Sequence, residues 1–584
     1  MNKTSITVIA IVIILAFLTA CEKSAETKKA DSGNEDPADY TWDTSTVVKI
    51  VMSGIAISVI PAVAEVNGNV VTITSAGTYD LSGSLTDGQV VVDTKDDGNV
   101  RLIFNGISIK CTTSAPVYVV SAKKVIVILQ EGSVNTLTDG TSYAQTNGEP
   151  DAAIFSNSYL SFSGDGSLSV TANFKDGISS DDGLVINSGT ITVKSADDGI
   201  RGKDYLVVRK GNLTINSAGD GLKSTNDEDT SLGYVEIESG SFNITAAAGD
   251  AISAVTSLAI TDGVFSITTG GGASSVSSGT GTSAGNPGGG PGGGPGGTSG
   301  GYAGTISEKG LKGKAALTIT RGTFSINSAD DALHSNSAIS INGGTFEIAS
   351  GDDAIHADAS VVIEGGTIEV TRSYEAIESA CITLNGGDVS LVSTDDGFNA
   401  TMGEATEAND GSILNLNGGN ITVNSSSGDA IDSNGNVAMT GGTVIAHGPT
   451  SAPEVGIDVN GTFKVTGGIL IATGPNSGNM IESISESSSQ YAVKTTISST
   501  LAPASLFHIE DSEGNDVITY KPVRTIYYII ISKPELREGG TYSTWTGGTT
   551  TGTNINGVCS GGTYSGGTLK KTFTISGELT NVSF

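Results

Sequence analysis

The sequence predicts an all-β fold, a right-handed parallel β-helix (a β-solenoid) with a C-terminal β cap. Three observations predict it: a repeat of about 22 residues, short runs of alternating apolar and polar residues inside each repeat, and a composition rich in Gly (80 of 584 residues) but only 16% charged. A fixed period of that length marks stacked structural repeats, and a turn-rich, β-branched composition selects strands over helices. Evenly spaced apolar residues through most of the chain argue against disorder.

The repeat is plainest in its acids. Asp176, Asp198 and Asp220 are spaced by 22 residues, as are Asp331, Asp353 and Glu375, with Asp396 a further 21 along. Asp250 and Asp429 continue the series after longer insertions. Within each unit an alternating run follows a Gly, as in Gly189-Thr190-Ile191-Thr192-Val193 and Gly322-Thr323-Phe324-Ser325-Ile326. Period-two alternation sends the apolar residues to one face. Aligning the units yields an inward column of Ile191, Leu213, Phe242, Phe265, Phe324, Phe346, Ile368, Val389, Ile421, Val444 and Leu470, so the Phe rings are read as core. A second run, such as Ala338-Ile339-Ser340-Ile341, supplies another wall, and the Asp-Gly-Ile corner begins a third. Gly-Gly pairs at 343–344, 365–366, 386–387, 418–419, 441–442 and 467–468 fit tight turns with positive φ.

The remaining segments follow in order. Residues 1–20 have the layout of a signal peptide: Lys3 precedes an apolar run from Ile6 to Leu18, too short for a comfortable membrane span. Leu18-Thr19-Ala20-Cys21 looks like a bacterial lipobox, which implies cleavage before Cys21 and lipidation of its sulfur. Glu22 after the Cys favours passage to an outer membrane, so the expected location is the cell envelope, lipid-anchored and facing outward. Residues 21–45 read as a polar tether, and 46–160 as an N-terminal cap with the first coils. Residues 161–475 carry the repeats, interrupted at 270–304 by a Gly/Pro/Ser-rich stretch read as a flexible loop. Residues 476–584 lose the repeat and read as a C-terminal β cap with a Gly/Thr-rich tail, since an open solenoid end exposes its core. Cys111, Cys381 and Cys559 form no CxxC or Cys/His metal pattern, and Cys381 occupies a core position of the repeat.

Acidic residues outnumber basic ones 62 to 30, for a net charge of −32, which excludes nucleic acid as a partner. Much of the acidity lies in columns. Beside the ladder of Asp176, Asp198 and Asp220 runs a preceding column with Asp197, Asp330, Asp352 and Asp395, and a downstream one with Asp181, Asp204, Asn336, Asp358 and Asn434. Stacked coils place equivalent residues about 4.8 Å apart. At that spacing neighbouring carboxylates repel by roughly 3 kcal/mol, so such a column takes up protons or binds a cation. Calcium fits, because it takes oxygen ligands and Asn still offers one, whereas zinc gains little from such a set. The expected ligands are Asp176, Asp181, Asp197, Asp198, Asp204, Asp220, Asp330, Asp331, Asp352, Asp353 and Asp358. A mere Asp-Gly turn explains the ladder less well, since Ala replaces Gly at 251, 332, 354, 376 and 430 while the acid persists.

Several segments carry a family likeness: Asn105-Gly106-Ile107-Ser108-Ile109, Ala153-Ile154-Phe155-Ser156, Asp197-Asp198-Gly199-Ile200-Arg201-Gly202-Lys203-Asp204, Asp220-Gly221-Leu222-Lys223-Ser224-Thr225-Asn226-Asp227 and Ser328-Ala329-Asp330-Asp331-Ala332-Leu333-His334-Ser335-Asn336. Together they resemble a bacterial family of carbohydrate-binding-domain proteins, described as calcium-binding, pectate-lyase-like β-helices that bind cellulose and acidic sugars. The resemblance covers about residues 46 to 540 and implies binding more securely than any one substrate.

Three positions after each ladder acid lies a further column: Ser179, Arg201, Lys223, His334, His356, Glu378, Asn399 and Asp432. Arg201, Lys203, Lys223, His334 and His356 are the expected sugar contacts, gripping uronate carboxylates beside a calcium-loaded edge; salt bridges to the neighbouring acids are the alternative role. The expected protein is therefore a monomeric, non-catalytic, calcium-dependent binder of polysaccharide, acidic or cellulosic, with no catalytic residue assigned. A calcium-dependent lyase would use the same parts, with Arg201 or Lys223 removing the proton that the metal acidifies. A rigid surface scaffold or adhesin is the third possibility. Stacking of sugars on aromatic rings is weakly supported: Trp42 and Trp545 lie outside the repeat, leaving Tyr205, Tyr234 and Tyr374 as candidate exposed rings.

Overall fold

The computed structural model describes residues 35–144, 149–274, 306–403 and 408–584. The signal peptide, Cys21, the first part of the tether and the Gly/Pro-rich stretch from residue 275 onward lie outside the described residues. The chain is all-β, and helix among the described residues is confined to the short 3-10 turns Pro37–Tyr40, Thr44–Thr46 and Gly478–Met480. It divides into two compact units, one of Ala25–Val276 with Gly304–Asn336, the other containing Ser337–Phe584.

In the first unit each coil contributes three short strands, and each strand pairs in parallel with its counterparts in adjacent coils. Asp176–Ser180, Ile200–Gly202, Leu222–Ser224, Ile252–Ala254, Leu311–Gly313 and Leu333–Ser335 form one wall. Gly183–Ile186, Tyr205–Val208, Tyr234–Ile237, Ser257–Ile260 and Ala316–Ile319 form the second. Thr190–Ser195, Asn212–Ser217, Ser241–Ala246, Val264–Thr269 and Thr323–Ser328 form the third. The third wall brings Ile191, Leu213, Phe242, Phe265 and Phe324 into one register, each at most 2% exposed. The Phe242, Phe265 and Phe324 rings stack at centroid separations of 4.6 and 4.7 Å, so the expected apolar column is a continuous aromatic pile. At the start of the unit, Ala56–Ile60 lies antiparallel on Val48–Gly54 and ends the parallel pairing there.

The second unit repeats the pattern. Phe346, Ile368, Val389, Ile421, Val444 and Leu470 stand in register and are buried. Cys381 is buried in Cys381–Leu384. The second Gly of each Gly-Gly pair holds a positive φ, from 75° at Gly442 to 111° at Gly344, where a side chain would be strained. Parallel stacking stops where Ile526–Ser532 runs antiparallel to both Ile469–Gly474 and Ala492–Leu501. An antiparallel sheet follows, in the order Thr553–Ile555, Val558–Ser560, Asp516–Tyr520, Phe507–Asp511, Thr541–Thr550 and Tyr564–Thr574. Phe507, Tyr520, Ile529, Ile531 and Tyr542 are buried together beneath it.

The outer face of the first unit is not bare. Residues 35–43 lie across it: Tyr40 and Trp42 pack on Ile103, Ile126 and Ile128. There the buried Lys124 pairs with Glu35 and with Asp39, the latter at 2.9 Å. Trp42 is thus a packing residue, and on the second unit Trp545 donates its indole N–H to Glu510 at 2.9 Å.

Tyr205 and Tyr234, expected as exposed rings, are buried at 6% and 8% exposure. They stack at 5.4 Å, and Tyr159 stacks on Tyr205 at 6.4 Å even though a coil intervenes. The intervening residue is Gly183, paired with Tyr205, and a Cβ there would run into the Tyr205 ring. The rings close over Val185, Val207 and Leu232, and hydrophobic burial outweighs exposure for stacking on sugar. Tyr374 stays half-buried in a turn. Gly183→Ala is expected to destabilise the protein by about 1–3 kcal/mol, the usual range for overpacking. A urea midpoint below wild type that partly recovers in Gly183→Ala/Tyr205→Ser would confirm the clash, and an unchanged midpoint would disprove it.

Candidate functional site

The ladder acids stand at the corner where each coil enters the first wall. Backbone pairing aligns Asp176, Asp198, Asp220, Asp250, Lys309 and Asp331 in the first unit, and Asp353, Glu375, Asp396, Asp429 and Val455 in the second. Each short carboxylate reaches the next coil. Asp176 Oδ1 accepts the Asp198 N–H at 3.2 Å, Asp198 Oδ1 that of Asp220 at 2.8 Å, Asp220 Oδ1 that of Asp250 at 2.7 Å, and Asp250 Oδ1 that of Lys309 at 2.9 Å. In the second unit Asp353 serves Glu375 at 3.2 Å, Asp396 serves Asp429 at 2.6 Å, and Asp429 serves Val455. Lys309 cannot accept a hydrogen bond, and Asp330 takes over, accepting the Asp331 N–H at 2.9 Å. The glycines at 177, 199 and 221 have no positive φ, so the acid is there for its oxygen rather than to form a turn.

The second carboxylate oxygen faces outward and meets the column three residues on. Asp176 Oδ2 pairs with Arg201 Nε at 3.2 Å, and Arg201 also reaches Asp151 at 3.5 Å and Asp181 at 3.8 Å. Lys223 bridges Asp198 at 3.0 Å and Asp220 at 2.9 Å, and Lys312 meets Asp250 at 3.0 Å. Lys309 bridges Asp330 at 2.8 Å and Asp331 at 2.7 Å, and His334 Nδ1 lies 2.8 Å from Asp331. Of the expected sugar contacts, Arg201 and Lys223 are thus counter-ions of the ladder and His334 is held against Asp331, while Lys203 is exposed beside Asp182. Lys309 and Lys312 were missed, although Lys309-Gly310-Leu311-Lys312 echoes Asp220-Gly221-Leu222-Lys223 and could have revealed them.

The columns also need a correction. Ser180, Gly202 and Ser224 are in register, which sets Asp181 opposite Lys203, whereas Asp204 lies opposite Asp182 and receives the Asn226 amide at 2.7 Å. Asp181 and Asp204 therefore belong to different columns, because the strand register fixes them one residue apart. In the second unit Asp358 and Asn434 do share a column, one residue past Ala357 and Ser433 in paired strands. Asp352 precedes Asp353 at the corner. For a hard cation, Asp176, Asp197 and Asp198 suit best: each puts a carboxylate oxygen within 4.8 Å of the others, a span that bonds of about 2.3–2.6 Å can bridge. Ser179 Oγ, three residues past Asp176, is buried without a hydrogen-bond partner.

The two units differ in neutralisation. From Asp353 to Asp458 neither column holds a Lys or Arg; the outward residues are His356, Glu378, Asn399, Asp432 and Asp458. Burial, then Asp396, pushes Asp429 up to about 9, and Glu375 and Asp396 are also held well above the carboxylate range. In the first unit burial, then Asp198, pushes Asp176 up to about 7, and burial, then Asp250, pushes Asp220 up to about 6.

On the first wall's outward face, Tyr118, Phe155, Ser179, Arg201, Lys223, Ser253, Lys312 and His334 follow one another coil by coil. Tyr118 and Phe155 touch at 5.9 Å, but Phe155 and the following Ser179 are covered, at 1% and 0% exposure, so of the two rings only Tyr118 is partly exposed.

With this geometry in place, comparison with known proteins defines the class. A family model described as carbohydrate-binding domain-containing protein matches residues 67–354. A relative of that description from Acetivibrio thermocellus is 45% identical over 204 residues, covering 34% of this chain and 71% of its own length. The chain belongs to this carbohydrate-binding-domain family. A solved structure, the polysaccharide lyase-like protein from C. thermocellum as a gadolinium derivative, aligns at 35% identity and a TM-score of 0.37, covering 38% of this chain and 92% of that one.

The raised carboxyl pKa values set a pH dependence. A carboxyl that holds its proton more tightly when folded favours the fold fully below its ordinary value of 3.8. That contribution is lost as pH rises through about 6 for Asp220, about 7 for Asp176 and about 9 for Asp429. In chelator, Tm is expected to fall steadily from about pH 5 to about pH 9, with Asp429→Asn flattening the upper part. A Tm indifferent to pH across that range would contradict the assignment.

Proposed function

We propose that this chain is a lipid-anchored, non-catalytic, calcium-dependent carbohydrate-binding protein whose body is a right-handed parallel β-helix. Its ligand is an acidic polysaccharide of the polyuronate type, with cellulose as a further ligand class, laid along the cations of the outward column, Arg201, Lys223 and Lys312. The observation that carries this reading is that column itself: partly exposed cations at Arg201, Lys223 and Lys312 beside a ladder of carboxylates, on a chain of the carbohydrate-binding-domain family. Calcium at Asp176, Asp197 and Asp198 would be held through their clustered oxygens, and it would supply a positive centre for uronate carboxylates. Arg201 and Lys223, each 18–30% exposed at the side chain, and the exposed Lys203 hold others.

The lyase alternative needs a side chain that gives up its proton to become a base. Although burial opposes their charge, the acids around them raise the pKa of both Arg201 and Lys223, which keeps them protonated. Binding is the better use of such groups.

Binding of polygalacturonate oligomers is expected to need Ca²⁺, to tighten with chain length, and to weaken with salt. Arg201→Ala and Lys223→Ala should each weaken it several-fold, about 1 kcal/mol, without lowering calcium content. Unsaturated product in a spectrophotometric assay would establish the lyase instead, and equal binding in chelator by wild type and both variants would place the sugar elsewhere. The anchor is tested separately: Cys21→Ser should move the protein from the membrane pellet to the soluble fraction, and a variant that stays in the pellet would refute the lipobox.

A further inference from the structure

One cluster on the second unit differs in kind from the ladder. Asp353 is buried, and its Oδ1 is fixed by accepting the Glu375 N–H at 3.2 Å. Its Oδ2 stands 3.4 Å from His356 Nδ1, three residues along the same coil. Parallel register pairs His356 with Glu378 on the next coil, and Glu378 Oε2 stands 3.8 Å from the same Nδ1. These three ligand atoms all lie within 4.8 Å of one another. The other ring nitrogen, Nε2, faces Asp358 Oδ1 at 3.6 Å.

The distances discriminate between roles. A hydrogen bond between imidazole and carboxylate spans about 2.7–3.2 Å, and His334 makes one to Asp331 at 2.8 Å with the same three-residue spacing. His356 meets its two acids at longer range, 3.4 and 3.8 Å. Bonds of about 2.0–2.2 Å to zinc, arranged tetrahedrally, set ligand atoms about 3.3–3.6 Å apart, which matches the Asp353 separation and nearly that of Glu378. A metal-bound His commonly gives its second ring N–H to a carboxylate; Asp358 is the carboxylate on that side of the ring, at 3.6 Å, outside direct hydrogen-bond reach. An imidazole nitrogen with two carboxylates selects an ion of the zinc class over calcium, which takes oxygen.

We propose that Asp353, His356 and Glu378 form a divalent transition-metal site, with Asp358 facing the second ring nitrogen. The His356 and Glu378 side chains are 27% and 25% exposed, so the site opens to solvent and leaves a coordination position for water or an oxygen of a bound ligand. This assignment is independent of calcium at the first unit. It gives His356 a ligand role in place of sugar contact, and gives Asp353 and Asp358 roles beside an imidazole.

The test uses the full chain, stripped by chelator and then titrated with Zn²⁺ by calorimetry in excess Ca²⁺, with no polysaccharide present, so the outcome is separate from that of the binding proposal. One zinc equivalent is expected, and zinc-edge X-ray absorption should report one imidazole with oxygen ligands and no sulfur. His356→Ala should abolish that equivalent, while Glu378→Gln and Asp358→Asn weaken it about 10–100-fold. Circular dichroism verifies folding, and His356→Gln repeats the test if the Ala variant misfolds. Absence of zinc binding, sulfur ligation, or unchanged affinity in the folded His356 variants would overturn the proposal.

Discussion

The architecture depends on a hydrogen bond that recurs at one corner: a ladder carboxylate of one coil accepts the backbone N–H of the corresponding residue in the next. A buried N–H without a partner costs about 1–3 kcal/mol, and one would otherwise arise at every coil. Asp is short enough to reach and strong enough as an acceptor, which is why the acid persists while its neighbour alternates between Gly and Ala. Where Lys309 interrupts the series, the adjacent Asp330 of the same coil supplies the oxygen, so the N–H keeps a carboxylate partner although that bond no longer links two coils.

Solving the backbone problem with carboxylates creates an electrostatic one. Charges stacked at the spacing of β-strands repel, and burial raises the cost. In the first unit the chain answers with its own cations: Arg201, Lys223, Lys309 and Lys312 each sit against one or more acids. The second unit has no Lys or Arg in these columns, and burial together with the neighbouring acids raises the pKa of Glu375, Asp396 and Asp429. One backbone device thus produces two surfaces, one with Lys and Arg set against its acids, the other with its acids set mainly against one another.

The same stacking logic operates on apolar groups. Inside, Phe242, Phe265 and Phe324 pile face to face because register puts them one above another. Outside, Tyr159, Tyr205 and Tyr234 do likewise, and the missing side chain of Gly183 lets a ring lean across a whole coil. A repeat turns each single residue choice into a column, whether of rings, carboxylates or ammonium groups.

The sequence by itself determined which residues face inward: every member of the column from Ile191 to Leu470 is buried, because period-two alternation dictates the face and the repeat dictates the height. It also determined the turns, since the paired glycines mark the places where φ is positive. Only the tertiary structure decided what each outward side chain meets. Tyr205 reads as exposed until Gly183 on the adjacent coil proves to make room for it, and Asp181 and Asp204 read as one column until strand register separates them. The partners of Arg201 and Lys223, and the distances of His356 from Asp353 and Glu378, depend on how far each side chain reaches between coils. Periodicity carries direction along one strand, but contact across strands depends on register and side-chain reach, which no single segment of sequence contains.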